Sequence, residues 1–184
     1  MKKMIVMMLM LLPILAGCDS VNKVWLFSFG QTKAEVEETL KGNNYRYKDN
    51  DDRDGFIGSQ VVEYMGVKWD GFMLSFKDGM LEQITFRKAD GESLTEEDAE
   101  KIVKQIDERF GEHREDRTAA REYGTVGWEW QKGNIHASFT RMFGGAMSML
   151  TFFQKEDNKE RITKVEAQKP EVVEEVVECV ETTE

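Results

Sequence analysis

The chain has 184 residues, with 25 Lys and Arg against 35 Asp and Glu and a formal charge of -10. Hydrophobic residues make up 40% and charged residues 33%, too apolar for a disordered chain and too polar for a multi-span membrane protein. The acidity argues against a general nucleic-acid binder, and two Cys with two His argue against a disulfide scaffold or a Cys/His zinc site.

Residues 1–18 read MKKMIVMMLMLLPILAGC. Lys2 and Lys3 give a basic start, and Met4 to Ala16 is a 13-residue apolar stretch. A spanning helix needs about 20 apolar residues, so this stretch reads as the hydrophobic part of an export signal. It ends in Leu15-Ala16-Gly17-Cys18, which resembles the lipobox of bacterial lipoproteins. The resemblance implies a signal peptide over residues 1–17, cleavage after Gly17 and thioether diacylation of Cys18. Acylation of the new amino terminus, as by palmitate, usually follows. Two or more chains anchor a protein stably where one does not. The expected location is the bacterial cell envelope, lipid-anchored, with the domain outside the cytoplasm. Asp19 looks like an enteric inner-membrane retention residue, a rule that does not hold in every phylum, so the leaflet stays open. With Cys18 lipidated, Cys179 is the remaining thiol and no intramolecular disulfide forms.

Residues 18–24 read as a tether and residues 25–157 as one folded domain. Thr32 and Glu35 fit a capping box, Val36 and Leu40 share one face, and Gly42 is a stop. Tyr45-Arg46-Tyr47 and Val61 to Tyr64 read as strands. Phe72, Leu74 and Phe76 alternate with Met73, Ser75 and Lys77 up to Asp78-Gly79, a hairpin signal. The step from Leu81 to Ile84 breaks alternation and predicts a bulge. Thr95 opens a second helix, with Ala99, Ile102, Val103, Ile106 and Phe110 at helical spacing and Gly111 at its end. Trp128 and Trp130, then Ile135, Ala137 and Phe139, predict two strands around Lys132-Gly133-Asn134. A Phe143-Gly144-Gly145 loop leads to a last strand, Met147 to Phe153.

The expected class is α+β: an antiparallel sheet of about six to seven strands with two amphipathic helices on one face. Residues 25–90 and 91–157 read as a candidate tandem repeat of helix plus strands. Ile84-Thr85-Phe86-Arg87-Lys88 closes the first and Leu150-Thr151-Phe152-Phe153-Gln154-Lys155 the second, though strand ends resemble one another without duplication. Phe29-Gly30-Gln31-Thr32, Glu35-Val36 and Leu40 resemble the helix entry of SmpA/OmlA-type envelope lipoproteins and of β-lactamase-inhibitor-like repeats. That resemblance implies a non-enzymatic protein-binding module and carries no site residue over.

Four groups of residues are candidates for chemistry or contact. Asn50, Asp52 and Asp54 take positions one, three and five of a calcium loop, with Gly55 at six, but position twelve is Val61 and the bidentate carboxylate is missing. An acidic, turn-prone loop is the plainer reading. His136 is expected on the sheet face opposite Ile135 and Ala137, with Ser138 and Thr140, and His113 lies far away in sequence. No nucleophile elbow, phosphate loop or zinc-protease motif is present. Trp69, Tyr123, Trp128 and Trp130 read as core, with Trp128 and Trp130 as alternative partner contacts. Met142, Met147 and Met149 read as gap fillers or as an adaptable loop.

Residues 158–184 form an acidic tail, disordered or marginally helical. Within it Val172, Val176 and Val180 recur at helical spacing as further partner-contact candidates. The expected function is therefore a membrane-anchored, non-catalytic protein-binding or assembly lipoprotein, with no cofactor and no nucleic acid. The alternatives are a calcium or small-ligand binding lipoprotein using residues 50–57 and a hydrolase using His136.

Overall fold

The computed structural model describes residues 21–50, 53–89, 91–116 and 124–155. The signal, Cys18, Asp51, Asp52, Tyr123 and the tail with Val172, Val176 and Val180 lie outside them. Among the described residues no helix is long and apolar enough to cross a membrane.

Both helices begin as capping chemistry requires. In α1 (Lys33–Gly42) the Glu35 amide donates to the Thr32 hydroxyl, and the Glu35 carboxylate accepts from the Thr32 amide at 2.8 Å. In α2 (Glu96–Phe110) the Asp98 amide donates to the Thr95 hydroxyl at 3.1 Å, and three acidic residues fill the first turn, where the helix dipole favours them. Gly111 ends α2 with φ 98, a conformation glycine adopts without strain.

The strands are β1 (Lys23–Val24), β2 (Phe27–Ser28), β3 (Lys48–Asp49), β4 (Gly55–Gly58), β5 (Val62–Tyr64), β6 (Val67–Trp69), β7 (Gly71–Lys77), β8 (Met80–Lys88), β9 (Arg114–Asp116), β10 (Val126–Lys132), β11 (Ile135–Met142) and β12 (Met147–Gln154). The pairs β1–β2 and β5–β6 are separate two-stranded hairpins. Val24, in the stretch read as a tether, already pairs with Phe27, and both side chains are fully buried. The expected bulge is present: Ser75 pairs with Gln83 and Phe76 with Leu81, which leaves Glu82 as the extra residue.

The other eight strands form one antiparallel sheet in the order β3-β4-β7-β8-β12-β11-β10-β9. Eight exceeds the expected six or seven because the two edge strands carry no apolar alternation. Lys48-Asp49 and Arg114-Glu115-Asp116 are charged and exposed, as edges that resist pairing with other chains tend to be. Tyr45 to Tyr47 precede the first edge strand, and Val62 to Tyr64 belong to a hairpin outside the main sheet.

The order reads alike from either end. Each half is a helix followed by four main-sheet strands, and the halves meet at β8 and β12. Across that seam Thr85 pairs with Thr151, Ile84 with Phe152 and Phe86 with Leu150. A two-fold axis through the Thr85–Thr151 pair therefore exchanges Ile84 with Leu150 and Phe86 with Phe152. Carried outward through the pairings, it matches Leu74 with Phe139, Phe56 with Trp128, Gly58 with Trp130 and Asp49 with Glu115.

One core lies on the helix side of the sheet. Val36 and Leu40 of α1 and Ala99, Ile102, Ile106 and Phe110 of α2 join Phe56, Leu74, Ile84, Phe86, Ala137, Phe139, Leu150 and Phe152. Full burial of each large apolar side chain contributes roughly 1.5–3 kcal/mol. The opposite sheet face presents Met73, Thr85, Thr151 and Ser138 in one cross-strand row and Ser75, Gln83, Phe153 and His136 in the next.

Candidate functional site

The buried stripe of α2 pins the helix over the inner strands, with Phe110 6.0 Å from Phe152. Among the described residues, its flank toward the β9–β10 edge is left open. Glu96, Glu100, Val103, Lys104 and Asp107 fall along that flank at spacings of three and four residues, so they share it. Across from them stand Val126 and Trp128 of β10, Glu115 of β9 and Arg141 of β11. Between the two walls is an open groove of about 360 Å³. Its apolar lining is Ala99, Val103, Val126 and Trp128. The half-buried Trp128 ring stacks on Phe139 at 5.1 Å with 14° between planes, so its outer face is held in place.

Four carboxylates line the groove against two cations. Arg141 is committed to backbone: Nε donates to the Leu94 carbonyl at 3.2 Å and Nη2 to the Gly144 carbonyl at 2.8 Å. Asp107 is committed too. It accepts from Trp130 Nε1 at 2.7 Å and pairs with His113 Nδ1 at 2.9 Å. The Trp130 indole is 2% exposed and needs that acceptor, because a buried N–H without a partner is costly. Among the described residues no ion pair is seen for Glu96 or Glu100.

The register-equivalent place in the first half is filled. Phe56, the counterpart of Trp128, is 2% exposed. The Tyr47 ring lies 4.8 Å from it, and the Tyr47 hydroxyl donates to Glu37 on α1 at 2.7 Å. The Lys33 ammonium sits 5.1 Å over Phe56 and 5.9 Å from Phe76. It bridges Asp54 at 2.9 Å and Asp49 at 3.4 Å. Hydrogen bonding to Asp54, reinforced by Asp49, holds the Lys33 ammonium above the ordinary lysine range.

This cluster also shows where the expected calcium loop lies. Asp54 faces a lysine, and Asn50 makes backbone turn bonds with Gly55 and Arg53. Asp52 lies outside the described residues. Among the described residues no group of three or more His, Cys, Asp or Glu is placed to hold a metal ion. His136 is on the face expected of it, away from the core, stacked on Phe153 at 4.9 Å. It is not brought together with His113, which joins Asp107 and Trp130 on the helix side. Of the two expected contact tryptophans only Trp128 reaches the surface. Trp130 points into the core because Ala137 opposite leaves room for the indole.

Sequence reasoning missed Asp107, Glu96, Glu100 and Arg141. The helical spacing of the three acids was readable; their opposition to β10 was not, because it depends on the sheet order. No protein family, curated protein or solved structure matches the chain.

Proposed function

We propose that this protein is a lipid-anchored bacterial envelope component that works without catalysis, by binding another protein through the groove beside α2. The observation that carries the reading is Trp128. It is a pre-positioned aromatic at the bottom of an open groove, and aromatic anchors of this kind dominate protein interfaces. The Leu15-Ala16-Gly17-Cys18 sequence supports the anchor, and the resemblance of the α1 entry to small envelope lipoproteins supports the role. We also read the two halves as a tandem repeat. The matched register and the two Thr-capped helices support this. One half has kept its edge filled, and the other has opened a groove.

Two experiments test the reading. Metabolic labelling with an alkyne palmitate should mark the wild-type chain in the membrane fraction, and Cys18→Ala should lose both label and membrane. In-cell crosslinking and pull-down should then capture one dominant envelope protein. Capture should survive removal of residues 170–184, which carry Val172, Val176 and Val180. A blank pull-down overturns the binding role. Capture that depends on the tail moves the site away from the groove.

A further inference from the structure

The two halves answer a question that the groove alone leaves open, namely what chemistry fills it. In the first half the ring at the Trp128-equivalent position is covered by an aromatic side chain, Tyr47, and a cation, Lys33. The capped threonines Thr32 and Thr95 set a common count along the helices. On that count Lys33 corresponds to Glu96, and Glu37 to Glu100. The hydroxyl of Tyr47 reaches Glu37, and its counterpart Glu100 lines the groove. Lys33 brings an ammonium to the edge, whereas Glu96 brings a carboxylate. Tyr47 lies two residues before Asp49, and His113 lies two before Glu115. Yet His113 turns away, held by Asp107 and packed 5.8 Å from Trp130. Trp130 is what draws it, since the first half has Gly58 in that place. Among the described residues, the exchange of Gly58 for Trp130 and of Lys33 for Glu96 therefore leaves no counterpart of the Tyr47 cover or of the Lys33 cation at Trp128 and puts a carboxylate where the ammonium was.

We infer that the α2 groove takes a basic and aromatic segment of a protein partner, an Arg or Lys beside a Tyr-like ring, which supplies in trans what Tyr47 and Lys33 supply in the first half. This rests on the protein-binding reading above. The aromatic ring lies against Trp128, and its polar tip reaches Glu100. The cation sits over the Trp128 face within reach of Glu96, where ring quadrupole and carboxylate act together. A groove of about 360 Å³ holds two or three side chains, which is the size of such an anchor and not of a whole peptide.

The test uses the purified full chain and two fluorescein-labelled pentapeptides, Gly-Arg-Tyr-Arg-Gly and its charge-reversed form Gly-Glu-Tyr-Glu-Gly, read by anisotropy. The basic probe should bind saturably and the acidic probe should not. Glu96→Gln with Glu100→Gln should weaken binding at least about fivefold, and Trp128→Ala should weaken it similarly. A charge-matched pair remote from the groove, Glu38→Gln with Glu63→Gln, should change it by less than about twofold, as expected for distant surface charges. Far-ultraviolet circular dichroism of each variant establishes that it is folded. Equal loss in both Gln pairs would mean attraction by net charge alone and would overturn the inference, as would absence of saturable binding. If the pentapeptide fails while the envelope partner is still captured in cells, the assigned partner chemistry falls and the protein-binding reading stands.

Discussion

Thr85 and Thr151 face each other across the central strand pair with their hydroxyl oxygens 3.2 Å apart. Each holds the same place in its own half, so the bond joins a position to its counterpart at the seam. Gln83 donates its amide to the Thr85 oxygen at 3.0 Å, so Thr85 links Gln83 and Thr151. Thr85 is 1% exposed, and Thr151 is half-buried.

Thr85→Val strips the partner from both Gln83 and Thr151 and should cost about 1 kcal/mol in urea unfolding. Thr151→Val alone should cost less, because Thr151 is half-buried and Thr85 keeps Gln83. The double variant should be no worse than Thr85→Val alone, since both hydroxyls are gone and valine suits a strand. Additive losses in the double-mutant cycle would show that the two hydroxyls are not coupled.

Gly58 and Gly55 fail differently when enlarged. A Cβ on Gly58 would lie 2.2 Å from the Phe72 ring, a side chain that can be shortened. A Cβ on Gly55 would lie 2.3 Å from the Leu74 carbonyl oxygen, which is backbone. Both Ala variants should lose about 2 kcal/mol or more by overpacking. Adding Phe72→Leu should recover part of the Gly58→Ala loss and none of the Gly55→Ala loss. Equal rescue of the two would contradict the assigned obstacles.

Asp107 holds the buried Trp130 indole and the His113 ring together. Asp107→Asn keeps an acceptor oxygen for the indole and should be mildly destabilising. Asp107→Leu leaves the indole N–H unpaired and should cost about 1–3 kcal/mol. Thermal unfolding of the two variants gives the comparison, and a Leu variant as stable as the Asn variant would show that Asp107 is not what satisfies the indole.

The capping box of α1 gives stability a pH dependence. Hydrogen bonds from the Thr32 amide, and then from its hydroxyl, hold the Glu35 carboxyl below the ordinary glutamate value of 4.5. Hydrogen bonding from Lys41 and Tyr47 holds Glu37 low as well. A carboxyl lowered by folding stabilises fully above its unfolded value and loses that contribution as pH falls through the folded one. Unfolding measured from pH 7 down to the acid side of 4.5 should show stability falling. Glu35→Gln should flatten part of that slope, because glutamine preserves the box without titrating, and adding Glu37→Gln should flatten more. An unchanged slope in the double variant would place the titrating groups elsewhere.

The helices were legible in the sequence because capping and a 3.6-residue apolar period are local signals. Thr32, Glu35, Val36 and Leu40, and the stripe from Ala99 to Phe110, sit as the pattern predicts. The bulge at Glu82 and the inward side of β11 were legible for the same reason. The edge strands were not, since Lys48-Asp49 and Arg114 to Asp116 have exposed charged side chains and no alternation. The difference between Trp128 and Trp130 was not legible either. Both point to the helix side, and their fates are set by neighbours on other elements: Ala137 makes room for Trp130, and among the described residues the flank of α2 leaves Trp128 only half-buried. The groove arises from that tertiary arrangement.

The proposed function requires a partner seated on Trp128. The most direct measurement places the photocrosslinking residue benzoylphenylalanine at position 128 in cells, with position 38 on the exposed side of α1 as the comparison. One discrete adduct with an envelope protein is expected from position 128 and none from position 38, with the adduct lost when Glu96 and Glu100 are both changed to Gln. The same products from both positions, or no adduct from 128 where pull-down still captures a partner, would contradict it.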